Sequence, residues 1–290
     1  MRLARSGRIT VAARWLICNL GKDEHIQSLF YGVQECGRTA TVVSLKEINE
    51  IIESPSHEPD CVITCGSIWS NSALRLSHPK WIGNWHNKPT FLCSHYYAYF
   101  GKYLAQRHYA MMPFAEVIRK QDYVYSHFGK DGKVFIRPDS GEKDFTGKVV
   151  ERDTFKGWAE LIGSYVEVSP DTLCVVSSPV EIQKELRLVV SHGKVVTGST
   201  YVIAHHLLQD PLEEQDDQTE IIAFAERVLS ECKSDLPPVH VIDIAVEESG
   251  MSIMEVGCFC CAGMYNCDRR KITKAISEAA ERAYNESLQV

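Results

Sequence analysis

The sequence predicts an α/β protein of more than one lobe, and three observations support this prediction. Short apolar runs alternate with helical patterns over the first ~90 residues, which is typical of a small, mostly parallel sheet flanked by helices. In the second half, further apolar strands follow one another and include a hairpin, which favours a separate antiparallel sheet. At 290 residues, the chain is also longer than most single domains.

The N-terminal segment, residues 1–90, is expected to form a Rossmann-like α/β lobe. The runs "WLICNL", "TATVVSL" and "DCVITCGS" predict strands, and apolar residues at helical spacing follow the first run (Ile26, Leu29, Phe30 and Val33). "HPKWIGNWHNKP" contains prolines, asparagines and glycine and predicts a loop between lobes. The basic start before Asp23 is similar to a transit peptide, but a buried first strand with a short basic lead-in is favoured.

Two further lobes are expected over residues 91–172 and 173–290. The segment from residue 91 to 129 is aromatic and helical in character, and "KVFIRP" then predicts a strand that runs into a Gly/Ser/Asp-rich loop. Later strands are predicted at "TLCVVSS", "ELRLVVSHGKVVTGSTYV", "HVIDIAVEE" and "MSIMEVG", with Gly193 in a hairpin turn. Thr219 and Asp268 are the expected N-caps of two helices that complete the chain.

Composition excludes several classes of protein. The 31 Lys and Arg residues are outnumbered by 38 Asp and Glu, and no basic block is present, so nucleic acid is not an expected partner. No apolar run approaches the ~18–20 residues that span a bilayer, so no membrane partner is expected. Eleven scattered cysteines, an odd number, suit reduced thiols in a cytoplasmic protein.

Charged residues interrupt several apolar strands of the second half. Arg137, Arg187, Asp243 and Glu255 all lie within such runs, where an unpaired charge is costly. They could form buried ion pairs, or they could bind a ligand. Two carboxylates on neighbouring antiparallel strands suit Mg²⁺, and an arginine before a glycine-rich loop suits phosphate oxygens.

The order of these motifs resembles the ATP-grasp superfamily. "FIRPDSGEKDFTG" is followed by "CVVSSPVEI", by "KELRLVVSHGKVV", by "VIDIAV" and by "IMEVG". More narrowly, the chain is similar to bacterial and phage ATP-grasp families that have arginine in place of the first nucleotide-lobe lysine and are predicted to act as peptide-tagging ligases. "HIQSLFYGVQECG" and "YYAYFGKYLAQRHYAMMPF" extend this resemblance over most of the chain.

The resemblance implies a role for each matching residue. Arg137, Arg187 and Lys184 would be catalytic, and Asp243 and Glu255 would hold magnesium. Residues 140–147 would form a mobile lid over the phosphates. The implied ATP-binding residues are Arg137, Ser140, Gly141, Lys143, Ser177, Ser178, Val180, Glu181, Lys184 and Glu185.

The segment "IMEVGCFCCAGMYNCDR" departs from the superfamily pattern. The last metal carboxylate is usually followed two residues later by Asn, but Gly257 occupies that place here. Glu255 is interpreted as functional and Cys258, Cys260 and Cys261 as substitutions in a tight loop, since adjacent cysteines chelate poorly. A thiolate zinc or iron–sulfur site and a nucleophilic Cys267 are the alternatives.

The expected function is therefore that of an ATP-dependent carboxylate–amine ligase acting through an acyl phosphate on a small-molecule or peptide substrate. An ATP-binding module with weakened or lost catalysis is the alternative that Gly257 motivates, and a thiolate metalloprotein is the third. Packing is the favoured role of His95, Tyr96, Tyr97 and Tyr99, with a place in the substrate pocket as the alternative. His205 and His206 are expected in a solvated loop.

Overall fold

The computed structural model describes residues 11–18, 24–142, 144–203 and 206–289. These residues form one parallel and two antiparallel sheets. The sequence prediction of a parallel N-terminal lobe followed by antiparallel strands is confirmed.

The N-terminal sheet has the strand order β2-β1-β3-β4, with all its pairs parallel. Its strands are β1 (Arg14–Cys18), β2 (Thr39–Val43), β3 (Asp60–Cys65) and β4 (Trp81–Gly83), and its helices are α1 (Glu24–Glu35), α2 (Leu45–Ile52) and α3 (Ile68–Ser77). The prediction of a loop over β4 was wrong. Gly83 allows this strand to approach β3, since a Cβ there would lie 2.6 Å from the Cα of Ile63.

The second sheet has the order β5-β8-β6-β7. Its strands are β5 (Tyr109–Pro113), β6 (Lys133–Pro138), β7 (Lys148–Glu151) and β8 (Leu173–Ser177), and the nearby helices are α4 (Cys93–Phe100), α5 (Phe114–Arg119), α6 (Gln121–Phe128) and α7 (Phe155–Ile162). β5 lies in the segment expected to be helical, and its five residues pair with β8. Although the sequence-based division started the third lobe at residue 173, β8 thus lies in the second sheet.

The third sheet has the order β11-β10-β9-β12-β13 and carries the last two helices. Its elements are β9 (Lys184–Ser191), β10 (Lys194–Ile203), β11 (His206–Leu207), α8 (Gln218–Cys232), β12 (Val239–Glu247), β13 (Gly250–Gly257) and α9 (Arg269–Ser287). His192 and Gly193 both have positive φ in the β9–β10 turn, as a type I′ hairpin requires.

The predicted cap of α9 is confirmed, whereas the cap of α8 differs. Asp268 accepts hydrogen bonds from the backbone of Arg270 and Lys271. α8 begins ahead of the expected Thr219, and Asp217 takes the N-cap position. Among the helices that the structure describes, none combines the length and apolar character needed to cross a membrane.

Helix α9 joins the N-terminal sheet to the third sheet in one hydrophobic core. Ile272 and Ile276 are fully buried in a cluster that includes Trp15 of β1 and Val241 of β12. The loop after β13 adds Phe259, whose ring lies 6.4 Å from that of Trp15 and 6.3 Å from that of Trp85, both edge to face. The segment that follows Glu255 is therefore anchored in the core between two lobes.

Replacing Phe259 with alanine is expected to lower the free energy of unfolding by about 3–5 kcal/mol, because it empties a fully buried site between Trp15 and Trp85. Urea denaturation measures this change. The control is Leu161→Ala in α7, whose side chain is exposed and whose loss is expected to change stability by no more than about 0.5 kcal/mol. Equal effects for the two variants would contradict the role of Phe259.

Candidate functional site

Three charged side chains form a row across neighbouring strands of the third sheet. Arg187 of β9 stands opposite Asp243 of β12, and Asp243 stands opposite Glu255 of β13. Residues directly opposite one another in antiparallel strands point to the same face of the sheet. A β-bulge in β13 accompanies this row, since the pairing skips Met254 between Glu255 and Ile253.

Arg187 and Asp243 form a two-pronged ion pair at the centre of the row. The guanidinium donates from Nε and Nη2 to the two carboxylate oxygens, both at 2.8 Å, and from Nη1 to the carbonyl of Gly263 at 3.2 Å. It also lies against the stacked rings of Tyr201 and Tyr265. Burial lowers the pKa of Arg187, but Asp243 more than offsets this and raises the pKa above its ordinary value.

Arg137 reaches the same row from the second sheet. It lies on β6, and its Nη2 donates to Oε1 of Glu255 at 3.0 Å. Its side chain is only 12% exposed. Burial opposes the charge, but the carboxylate of Glu255 together with the nearby Tyr96, Cys93 and Tyr97 outweighs this effect, so the pKa of Arg137 is raised. The four predicted charges are therefore brought together as two ion pairs, one within the third sheet and one between the second and third sheets.

A cavity of about 610 Å³ opens over this row, within the size range of small-ligand sites. Its walls include Arg187, Asp243 and Glu255, together with Ser140 and Gly141 from the loop between β6 and β7. A Cβ at Gly141 would lie 3.8 Å from Oε1 of Glu255. The predicted phosphate loop thus lies over the predicted metal carboxylate.

The predicted adenine linker connects β8 of the second sheet to β9 of the third. Ser177 is buried at the end of β8, and the amide of Ser178 donates to the carbonyl of His108 at 3.2 Å. Val180 is half-buried and Glu181 is exposed beyond it. Lys143 and His205 lie outside the described residues. His206 is exposed as expected, but it lies in the strand β11 rather than in a loop.

Lys184, predicted to be catalytic, does not join the row. Strand alternation places Glu185 on the face of Arg187 and Lys184 on the opposite face. The ammonium of Lys184 instead donates to both carboxylate oxygens of Asp217, at 2.8 and 2.6 Å. The Asp217 carboxylate is engaged in this ion pair. It accepts no capping hydrogen bond from the backbone of α8, although Asp217 is the N-cap residue.

Of the cysteines after Glu255, Cys260 and Cys267 are buried, whereas Cys258 and Cys261 are half-buried. Burial raises the pKa of Cys258 and Cys260 well above the ordinary range, and raises that of Cys267 to about 12. Cys267 is therefore a protonated thiol at neutral pH, which does not favour its alternative role as a nucleophile. Tyr96 and Tyr97 of α4 are buried in the core, in agreement with the packing interpretation, whereas His95 is half-buried and Tyr99 is exposed.

Several cavity residues were not identified from the sequence. His86, Lys88, Tyr201 and Tyr265 line the cavity, and Lys88 forms an ion pair with Glu142 of the loop after β6. His86 and Lys88 lie in the segment interpreted only as a loop between lobes. The two tyrosines reach Arg187 from separate elements, so no local pattern indicates their pairing.

The residues present fit both a magnesium ion and a phosphate chain. Asp243 and Glu255 provide carboxylate oxygens, the ligands that Mg²⁺ prefers, on adjacent strands. Arg137 and Arg187 provide guanidinium donors suited to phosphate oxygens. Gly257 lines the same cavity but has no side-chain oxygen to offer.

The chain resembles solved structures of ligases over nearly its whole length. D-cycloserine synthetase DcsG superimposes with a TM-score of 0.62 at 11% identity, over 92% of this chain and 100% of that one. D-alanine–D-alanine ligase from Bacillus anthracis gives a TM-score of 0.59 at 14% identity, over 95% and 100% of the two chains. The ATP-grasp ligase PsnB, complexed with a minimal precursor, gives 0.57 at 12% identity, over 93% and 99%.

These likenesses identify the fold as ATP-grasp, as the sequence motifs predicted. No curated protein sequence matches the chain significantly. The family model described as "ATP-grasp domain, R2K clade family 2" matches residues 115–275, which is more than half of the chain and contains both arginines and both carboxylates of the row. The chain therefore belongs to family 2 of the R2K clade of ATP-grasp domains.

Proposed function

We propose that this protein is an ATP-dependent carboxylate–amine ligase that forms an amide bond through an acyl phosphate. One observation supports this function above the others: Arg187, Asp243 and Glu255 line one cavity, and Arg137 reaches Glu255 from the facing sheet. Phosphoryl transfer needs charge neutralisation and in-line positioning more than covalent chemistry from the protein. The fold similarity to DcsG, PsnB and D-alanine–D-alanine ligase agrees with this class of reaction.

The proposed reaction has two steps. A carboxylate oxygen of the substrate attacks the γ-phosphorus of ATP, and ADP leaves. The amine nitrogen of the second substrate then attacks the acyl carbon, inorganic phosphate leaves, and the amine loses a proton. Because water would hydrolyse the acyl phosphate, the loop of residues 140–147 is proposed to cover the reacting atoms.

The residues of the charged row and Arg137 are proposed to share this work. Arg137 and Arg187 are proposed to donate to phosphate oxygens, while Asp243 and Glu255 would hold the Mg²⁺ that accompanies ATP and neutralises charge on the transferred phosphate. Arg187 uses Nε, one hydrogen of Nη1 and one of Nη2 in the bonds described, so two of its five N–H donors remain for a phosphate. It can therefore bind phosphate without releasing Asp243.

The nucleotide would extend from this row towards the linker between β8 and β9. Backbone groups of Ser177, Ser178 and Val180 are proposed to hydrogen-bond to the adenine. Glu181 and Glu185 are proposed to contact the ribose and neighbouring groups. The proposed substrates are a small molecule or peptide with a carboxylate and a second molecule with an amine. No catalytic role is proposed for Lys184, since its ammonium is held by Asp217 on the opposite face.

Incubation with Mg-ATP and mixed pools of amino acids and short peptides is expected to yield ADP, phosphate and a new amide, measured by coupled phosphate release and mass spectrometry. Glu255→Gln is expected to slow product formation at least tenfold, because it removes a charged metal ligand. The matched control is Glu248→Gln, an exposed carboxylate in the turn between β12 and β13, which is expected to retain full activity. ATP binding without product in every pool would favour the ATP-binding module instead.

Gly257→Asn is expected to strengthen magnesium-dependent ATP binding about tenfold by adding an oxygen ligand to the cavity. The new Cβ would meet Cγ2 of Val241 at 3.2 Å, so that side chain must shift by a few tenths of an ångström. Gly257→Ala introduces the same Cβ without the oxygen and is the control. Calorimetric titration of Mg-ATP compares the two, and equal affinities would contradict a metal-ligand role at this position.

A further inference from the structure

Three side chains with soft donor atoms meet on one wall of the cavity. His86, Cys258 and Cys261 each present one ligand atom, and these atoms all lie within 4.8 Å of one another. Nδ1 of His86 and Sγ of Cys261 are 3.7 Å apart. All three residues line the cavity that contains Asp243 and Glu255.

The two cysteines are brought together by the turn that follows β13. The amide of Cys261 donates to the carbonyl of Cys258 at 3.2 Å, which closes a Cys-x-x-Cys turn. Cys260 does not join them, since its Sγ is fully buried near the carbonyl of Gly83. The relevant pair is thus Cys258 and Cys261, a spacing common in metal-binding turns, rather than the adjacent Cys260 and Cys261.

His86 completes the group from the other lobe. It follows β4, and its Nε2 lies 2.8 Å from the hydroxyl of Ser72 in α3. When Nε2 donates to this hydroxyl, the lone pair of Nδ1 faces Sγ of Cys261. A hydrogen bond from the second ring nitrogen is the arrangement that orients histidine ligands in metal sites.

We propose that His86, Cys258 and Cys261 bind one zinc ion, with the fourth coordination position open to the cavity. Two thiolates and an imidazole select Zn²⁺ over Mg²⁺, which prefers oxygen. Tetrahedral zinc, with bonds of about 2.3 Å to sulfur and 2.0–2.1 Å to nitrogen, separates such atoms by roughly 3.5 Å, close to the distance from His86 to Cys261.

The open position distinguishes this site from a purely structural zinc site. Structural sites have four protein ligands, whereas sites with three protein ligands leave a position for water or a substrate atom. Within the described part of the chain, the group contains three such residues and borders the cavity. The cavity would then hold a soft cation site beside the proposed magnesium carboxylates.

Cobalt(II) titration of the full-length, reduced and metal-free protein tests this inference, because Co²⁺ reports its ligands by absorption. We expect one equivalent to bind with thiolate-to-cobalt charge-transfer bands and the visible bands of a four-coordinate ion. Zn²⁺ should displace it, and excess Mg²⁺ should not. Cys261→Ser and His86→Gln should each weaken binding at least tenfold. Cys36 is a half-buried cysteine directly after α1, with its Sγ 3.9 Å from the carbonyl of Arg270, and the Cys36→Ser variant should bind as the wild type does.

A second measurement uses the wild-type protein, so it tests the proposal even if the variants do not fold. On the wild-type protein, Zn²⁺ should protect Cys258 and Cys261 from alkylation while Cys36 stays reactive, as mapped by mass spectrometry. Reduced wild-type protein without charge-transfer bands, or a folded Cys261→Ser variant with undiminished binding, would overturn the proposal. Neither readout depends on ligase turnover, so the two proposals fail or stand separately.

Discussion

The pairing of two guanidinium groups with two carboxylates between the second and third sheets is the constraint on which the site depends. Asp243 is buried and the other three charged groups are partly buried, and such charges are costly unless each finds a partner. The third sheet supplies Arg187, Asp243 and Glu255 in register, and the second sheet supplies Arg137. Because the fourth partner comes from another sheet, the charges are balanced only when the two sheets face each other as they do here.

The position of Glu255 is also fixed by the chain that follows it. Phe259 anchors the next turn between Trp15 and Trp85, and the carbonyl of Cys260 accepts a hydrogen bond from Gly66 at the end of β3. The same turn presents Cys258 and Cys261 to the cavity. The N-terminal lobe, which contributes none of the four charges, therefore contributes to the geometry of the site through packing.

The sequence predicted the charged row because an ionised residue inside an apolar strand is conspicuous, and the order of the motifs indicated the fold. It did not predict which face of the sheet each strand residue points to. Simple alternation would place Glu255 with Ile253, but the bulge at Met254 turns Glu255 towards the cleft and leaves Ile253 in the core. The grouping of Lys184 with Arg187 came from the resemblance alone, and the alternation of β9 places the two on opposite faces. β4 was missed because it is only three residues long, and His86 because its partners are distant in sequence.

The stacked tyrosines beside Arg187 have a thermodynamic consequence. A free arginine side chain loses up to about 2 kcal/mol of rotamer entropy when a ligand orders it. Here Tyr201, Tyr265, Asp243 and the carbonyl of Gly263 already hold the guanidinium in one orientation. An anion that binds here contacts a guanidinium group that is already ordered. Most of the entropic cost of ordering it is therefore incurred during folding rather than on binding. Lysine at this position would keep the charge but would lack the planar group that these contacts immobilise.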